Sequence, residues 1–143
     1  MTTTTGQCLC GAVHFRVEGE ALAPRVCWCR DCQYLGAGTG MANAGFSAEG
    51  FSYTGDVTWF ESRADSGNLM QRGFCPRCGT PLFSRTPARA HLVFIRIGAC
   101  DSPAKIAPQM TIWSASAPPW AAIDTALPQL PGQPAAPGKG GPS

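Results

Sequence analysis

Three cysteines crowd into CWCRDC, residues 27–32, and five more stand at Cys8, Cys10, Cys75, Cys78 and Cys100. Thiols at such spacings can pair as disulfides, cycle as a redox couple, or ligate a metal as thiolates. Neighbours in Cys8-Leu9-Cys10 are poorly placed to bond each other, because a disulfide needs a particular torsion and Cα separation. They can readily point two thiolates at one ion. A redox role for Cys75-Pro76-Arg77-Cys78 needs a helix to start after the motif. Gly79-Thr80-Pro81 follows instead, and that tripeptide breaks helices. The same stretch has the form of a zinc knuckle, in which Gly79 suits the positive φ that follows the second ligand. Metal ligation is the reading taken here.

Zinc takes four ligands in a closed structural site and three plus an open position in a catalytic one. Cys8, Cys10, Cys75 and Cys78 would make four, and Cys27, Cys29 and Cys32 would leave three, for two ions per chain. Closing the long loop between the two pairs costs about 4 kcal/mol plus a constant. Structural zinc supplies about 10–16 kcal/mol of apparent binding free energy, so the metal outweighs the loop. Spacing alone leaves the partition open: Cys27 and Cys29 could equally join one of the pairs, and Cys100 could close the triad. An open position has a chemical consequence, since an incoming thiol can bind there with a lowered pKa.

The elements that must carry these motifs read as short strands. Val13, Phe15 and Val17 alternate with His14, Arg16 and Glu18, the pattern of a half-buried strand. Phe51–Thr54, Val57–Ser62 and Asn68–Phe74 follow as strands, separated by turn signals at Gly55-Asp56 and Asp65-Ser66-Gly67. HLVFIRI, His91–Ile97, is the most β-rich run and is expected at the centre of a sheet. Helical turns are expected only around Arg30–Tyr34 and Ala121–Ala126. The fold class is therefore mostly β: small zinc-stapled sheets with short helical turns. Residues 1–127 form the domain, and 128–143, PQLPGQPAAPGKGGPS, read as a flexible Pro/Gly/Ala-rich tail.

Leu, Ile, Val and Phe together number only 25 of 143 residues, a thin supply for a core that metal commonly supplements. The net charge is +2 with no Lys/Arg block, so no nucleic-acid partner is expected. No apolar run is long enough for a membrane span. MTTTTGQCLC has neither the basic region nor the apolar run of a secretory signal. The expected compartment is the cytoplasm, where clustered cysteines bind metal more often than they form disulfides.

GQCLCGAVHF, CWCRDCQ and GFCPRCGTPLF, taken together and in this order, resemble the glutathione-dependent formaldehyde-activating (GFA) / CENP-V family. Gly98-Ala99-Cys100-Asp101 and Pro118-Pro119-Trp120 are similar to weaker family landmarks, and the likeness spans about residues 6–131. It implies a β-tent fold, a structural zinc on Cys8, Cys10, Cys75 and Cys78, and a second, substrate-facing zinc on Cys27, Cys29 and Cys32. It further implies a carbon–sulfur lyase that adds glutathione, or another small thiol, reversibly to formaldehyde or another small aldehyde. Trp28 stands where the family often has His, Thr111 departs from a common His, and Cys100 replaces a usual aliphatic residue.

Three thiolates already make the site net negative, which weakens its Lewis acidity and favours a thiol carrier over water activation. Arg30 and Asp31 could contact glutathione's carboxylates or orient a sulfur, or be solvated turn residues. Trp28 could wall the pocket or pack against a strand. His14 and His91 read as surface residues, and Trp113 and Trp120 as packing. The alternative function is a non-catalytic zinc module for a protein partner, with Cys100 closing the second site.

Overall fold

Alternation in the first motif-bearing strand decides which way the amino-terminal sheet faces. In the computed structural model, which describes residues 2–134, Phe15 and Val17 of β2 (His14–Glu18) are buried while His14 and Arg16 are exposed. β2 pairs antiparallel with β1 (Thr3–Gln7) on one side and with β5 (Phe51–Thr54) on the other. Gly6 of β1 lies against the Phe15 ring and the Ala99 carbonyl, where a Cβ would collide with both.

A seven-stranded sheet holds the rest. Its members are β3 (Leu22–Cys27), β4 (Met41–Ser47), β6 (Thr58–Arg63), β7 (Leu69–Phe74), β8 (Pro81–Arg85), β9 (Leu92–Arg96) and β10 (Met110–Ile112), in the order β10-β3-β4-β9-β8-β7-β6. All pairs are antiparallel except β10 with β3. β9, the HLVFIRI strand, occupies the middle position as its composition predicts. Gly55 and Gly67 take positive φ at the two expected turns.

The two sheets bury one core between them. Val13, Phe15 and Val17 from the small sheet meet Ala44, Phe46, Phe83, Val93 and Ile95 from the large one. Phe83 is its centre: Phe15 and Phe51 meet it edge-on, with centroids 5.4 and 4.8 Å away, and Trp59 stacks at 6.1 Å. Side chains alternate across a strand, so Asn43, Arg72, Ser84, Phe94 and Arg96 lie on the opposite face of the large sheet. There they line a cavity.

The one α-helix among the described residues, α1 (Arg30–Leu35), forms where a helical turn is expected and follows β3, a strand the sequence reading did not include. Ala121–Ala126 is not helical; a turn near its end has the Asp124 carboxylate accepting the Ala126 N–H, a local bond that competes with helix formation. The segment after Pro128 also departs from expectation. Thr111 of β10 donates to the Pro128 carbonyl and accepts from the Leu130 N–H, so the chain runs beside β10 and packs Leu130 against the second cysteine cluster. An apolar residue with a vacant strand edge beside it outweighs the low-complexity composition. Residues 135–143 of the expected tail lie outside the described residues. Among the described residues no helix is long and apolar enough to cross a membrane.

Candidate metal centres

Cys8 and Cys10 sit on the turn between β1 and β2, and Cys75 and Cys78 on the turn between β7 and β8. The four sulfurs converge, with Cys8 and Cys10 3.6 Å apart and Cys10 and Cys75 3.8 Å apart. A tetrahedron of thiolates about 2.3 Å from a zinc ion has edges of about 3.8 Å. All eight cysteines are free thiols. The residues therefore fit a four-sulfur zinc site. A glycine closes each turn with φ +79°: the Gly79 N–H donates to the Cys75 carbonyl four residues back, and the Gly11 N–H to the Cys8 carbonyl three residues back. The Arg77 N–H donates to Cys75 Sγ, and the Val13 N–H donates to Cys8 Sγ, a bond that favours the Cys8 thiolate. The Thr80 hydroxyl, 3.1 Å from Cys78 Sγ, and the Thr80 N–H help pull that thiol down to about 5.

Cys27 ends β3, Cys29 caps α1 by accepting the Cys32 N–H, and Cys32 lies in the first helical turn. Their sulfurs lie within 4.8 Å of one another, all buried. Contact with Cys27 and then Cys32, with help from the Cys32 N–H and Arg72, draws the Cys29 thiol down to about 3. The negative charge on Cys29 in turn holds Cys27 protonated, together with Cys32 and burial. One thiolate with two further sulfurs gathered beside it fits a zinc ion too, since a bound cation would deprotonate the other two. No fourth Cys, His, Asp or Glu ligand atom joins them among the described residues. Cys100 belongs elsewhere. It packs in the core beside Cys8 and points its thiol at the Arg96 carbonyl, and burial followed by Asp101 raises it to about 11.

The triad forms part of the wall of a cavity of about 720 Å³, counted to its open mouth. Ile112 and Trp113 form one side. Trp113 has φ +56°, a left-handed conformation that costs a bulky residue about 1–3 kcal/mol, and its Nε1–H donates to Gln133. Trp113, read from sequence as packing, is thus part of the cavity wall.

Trp28, Arg30 and Asp31 do not line this cavity. Trp28 is buried against Gly40 on another side of β3. Arg30 donates to Gln33 Oε1 and covers the Tyr34 ring; Gln33 then donates to the carbonyls of Trp28 and Ser116, tying α1 to the chain after β10. Asp31 accepts from Arg72 at 3.3 Å. The cations that do line the cavity are Arg25, Arg72, Arg89 and Arg96. Sequence reasoning passed over them, although APRVC, LMQRGF and HLVFIRI place Arg25, Arg72 and Arg96 inside largely apolar strands, a signal that one strand face is not simple core.

The profile of the glutathione-dependent formaldehyde-activating enzyme family matches residues 3–116. Among solved structures, the chain is similar to the crystal structure of a Rhodobacter sphaeroides protein determined as a structural-genomics target. The two share 19% identity and a TM-score of 0.54 over 68% of this chain and 87% of that one. That likeness is one of fold. No curated protein matches the chain. Three cysteine motifs in family order, two sheets that gather them into two metal-capable clusters, and a profile match over most of the length lead to one statement: the chain belongs to the glutathione-dependent formaldehyde-activating enzyme family.

Proposed function

We propose that the chain binds glutathione or a similar small thiol at the Cys27/Cys29/Cys32 site and adds it reversibly to formaldehyde or another small aldehyde, a carbon–sulfur lyase reaction. The observation that carries this reading is the unequal ligand count: four sulfurs in one cluster, three in the other, and the three opening on a cavity. A zinc ion there would supply a lowered pKa for an incoming thiol and a fixed position for its sulfur. In the forward direction a carbon–sulfur bond forms at the carbonyl carbon, the π pair of the C=O moves to oxygen, and the thiol's proton ends on that oxygen. Cys27, Cys29 and Cys32 would hold the ion; Ile112 and Trp113 screen the reacting atoms from water on one side. The non-catalytic alternative drew on Cys100 as a fourth ligand. The distance of Cys100 from the triad, in the opposite core, favours the enzyme.

Cobalt in place of zinc tests the reading. Metal analysis should return two ions per chain, and glutathione should shift the sulfur-to-cobalt charge-transfer bands. In Cys27→Ser the response to glutathione should vanish while one ion remains bound. A spectrum indifferent to glutathione in the wild-type protein would remove the basis for thiol chemistry.

A further inference from the structure

Arg25 and Arg96 are 4% and 6% exposed, and neither has a carboxylate partner within ion-pair distance among the described residues. Arg25 spends its Nε–H on the Ala23 carbonyl and lies over the Phe94 ring. Arg96 donates from one terminal nitrogen to Asn43 Oδ1. The remaining capacity is not met: among the described residues, Arg25 Nη2, Arg96 Nε and the Thr86 hydroxyl are buried without a partner. Buried polar groups are nearly always hydrogen-bonded, and buried charges are paired. These three side chains line the same cavity as the triad sulfurs.

Charge sharpens the point. Three thiolates around a divalent zinc carry one net negative charge. Arg72 is answered by Asp31. Asp65 on the cavity wall adds a second negative charge, and Arg25, Arg89 and Arg96 carry three positive ones, so one remains uncompensated. A guanidinium with free N–H groups suits a planar carboxylate, which one such fork can grip through two parallel bonds.

We infer that Arg25, Arg96 and Thr86 form a carboxylate subsite beside the triad, so that the cavity takes a small molecule whose carboxylate sits on the arginines while sulfur or carbonyl chemistry proceeds at the cysteines. The carboxylate can belong to the thiol, as in a mercapto acid or peptide thiol, or to the carbonyl partner, as in a 2-oxo acid. Its placement next to thiol chemistry rests on the function proposed above; the subsite itself does not.

Titration calorimetry on the zinc-loaded protein separates these. 3-Mercaptopropionate should bind at least about tenfold more tightly than 3-mercaptopropionamide, which has the same shape without the charge. Arg96→Gln and Arg25→Gln, first checked for an unchanged melting profile, should bring the two probes to equal affinity and leave amide binding in place. Should either variant fail to fold, the wild-type acid-to-amide comparison still decides. Propionate and glyoxylate distinguish the sources. If they bind to protein saturated with 3-mercaptopropionamide but are excluded by 3-mercaptopropionate, one subsite serves either carboxylate. If neither binds under the amide, the thiol alone supplies the group. Equal affinity for acid and amide in the wild type, with no binding of propionate or glyoxylate, overturns the subsite, as does an acid preference that survives both arginine variants. Propionate binding without any thiol binding would leave the subsite standing and remove the proposed function instead.

Discussion

Cys100 and Cys29 carry the same functional group in the same chain, and their surroundings drive them in opposite directions. Around Cys29, neighbouring sulfurs, the Cys32 N–H and the Arg72 charge favour the thiolate. Around Cys100 there is apolar packing and a carbonyl, which favour the neutral thiol. Its folded pKa, raised to about 11 from 9.0, means that the unfolded chain ionises first. The stability contribution is fully present below pH 9 and is lost as pH rises through 11. Cys100→Val should therefore lose less melting temperature than the wild type between those pH values, measured on zinc-loaded protein by scanning calorimetry. An identical loss in both proteins would assign the alkaline sensitivity to other groups.

At the scale of elements, the large sheet does two jobs with its two faces. One face meets the small sheet through Phe83 and its ring neighbours; the other presents arginines and a Ser/Asn set to the cavity. The apolar face is where the small stock of large side chains is concentrated, so truncation there is costly. Phe83→Ala should destabilise by about 3–5 kcal/mol, the usual range for deleting a fully buried aromatic, read from denaturant unfolding with the metal content unchanged. The cavity face contributes little to that core. Both arginine variants should accordingly change binding far more than stability.

Across the whole molecule the two clusters differ in what they connect. The four-sulfur cluster ties the β1–β2 turn to the β7–β8 turn, and thereby one sheet to the other. The triad lies within six consecutive residues, 27–32, and closes almost no loop. Loop-closure entropy and the free energy of structural zinc both act on the first cluster as folding terms. Cys75→Ser should lower the melting temperature by more than about 10 °C, and so should stripping both ions with a strong chelator. Cys29→Ser should lose one ion and the glutathione response while melting within a few degrees of the wild type. Circular dichroism with parallel metal analysis distinguishes the two; comparable losses in both variants would mean that the triad, too, is a staple.

What the sequence alone determined is local. The Gly79 knuckle, the buried alternation of β2, the helical turn carrying Cys32 and the central place of HLVFIRI all follow from spacing and side-chain type within a few residues. Partners brought together from distant strands were decided only in three dimensions. Sheet register placed Cys100 in the core rather than at the triad. The same register carried Arg25, Arg72 and Arg96 from three separate strands to one face, and drew residues 128–133 alongside β10. The reason is physical: a turn's geometry is fixed by its own backbone dihedrals, whereas convergence across strands depends on which pairing buries Phe83 and its neighbours, a choice made by the whole core at once.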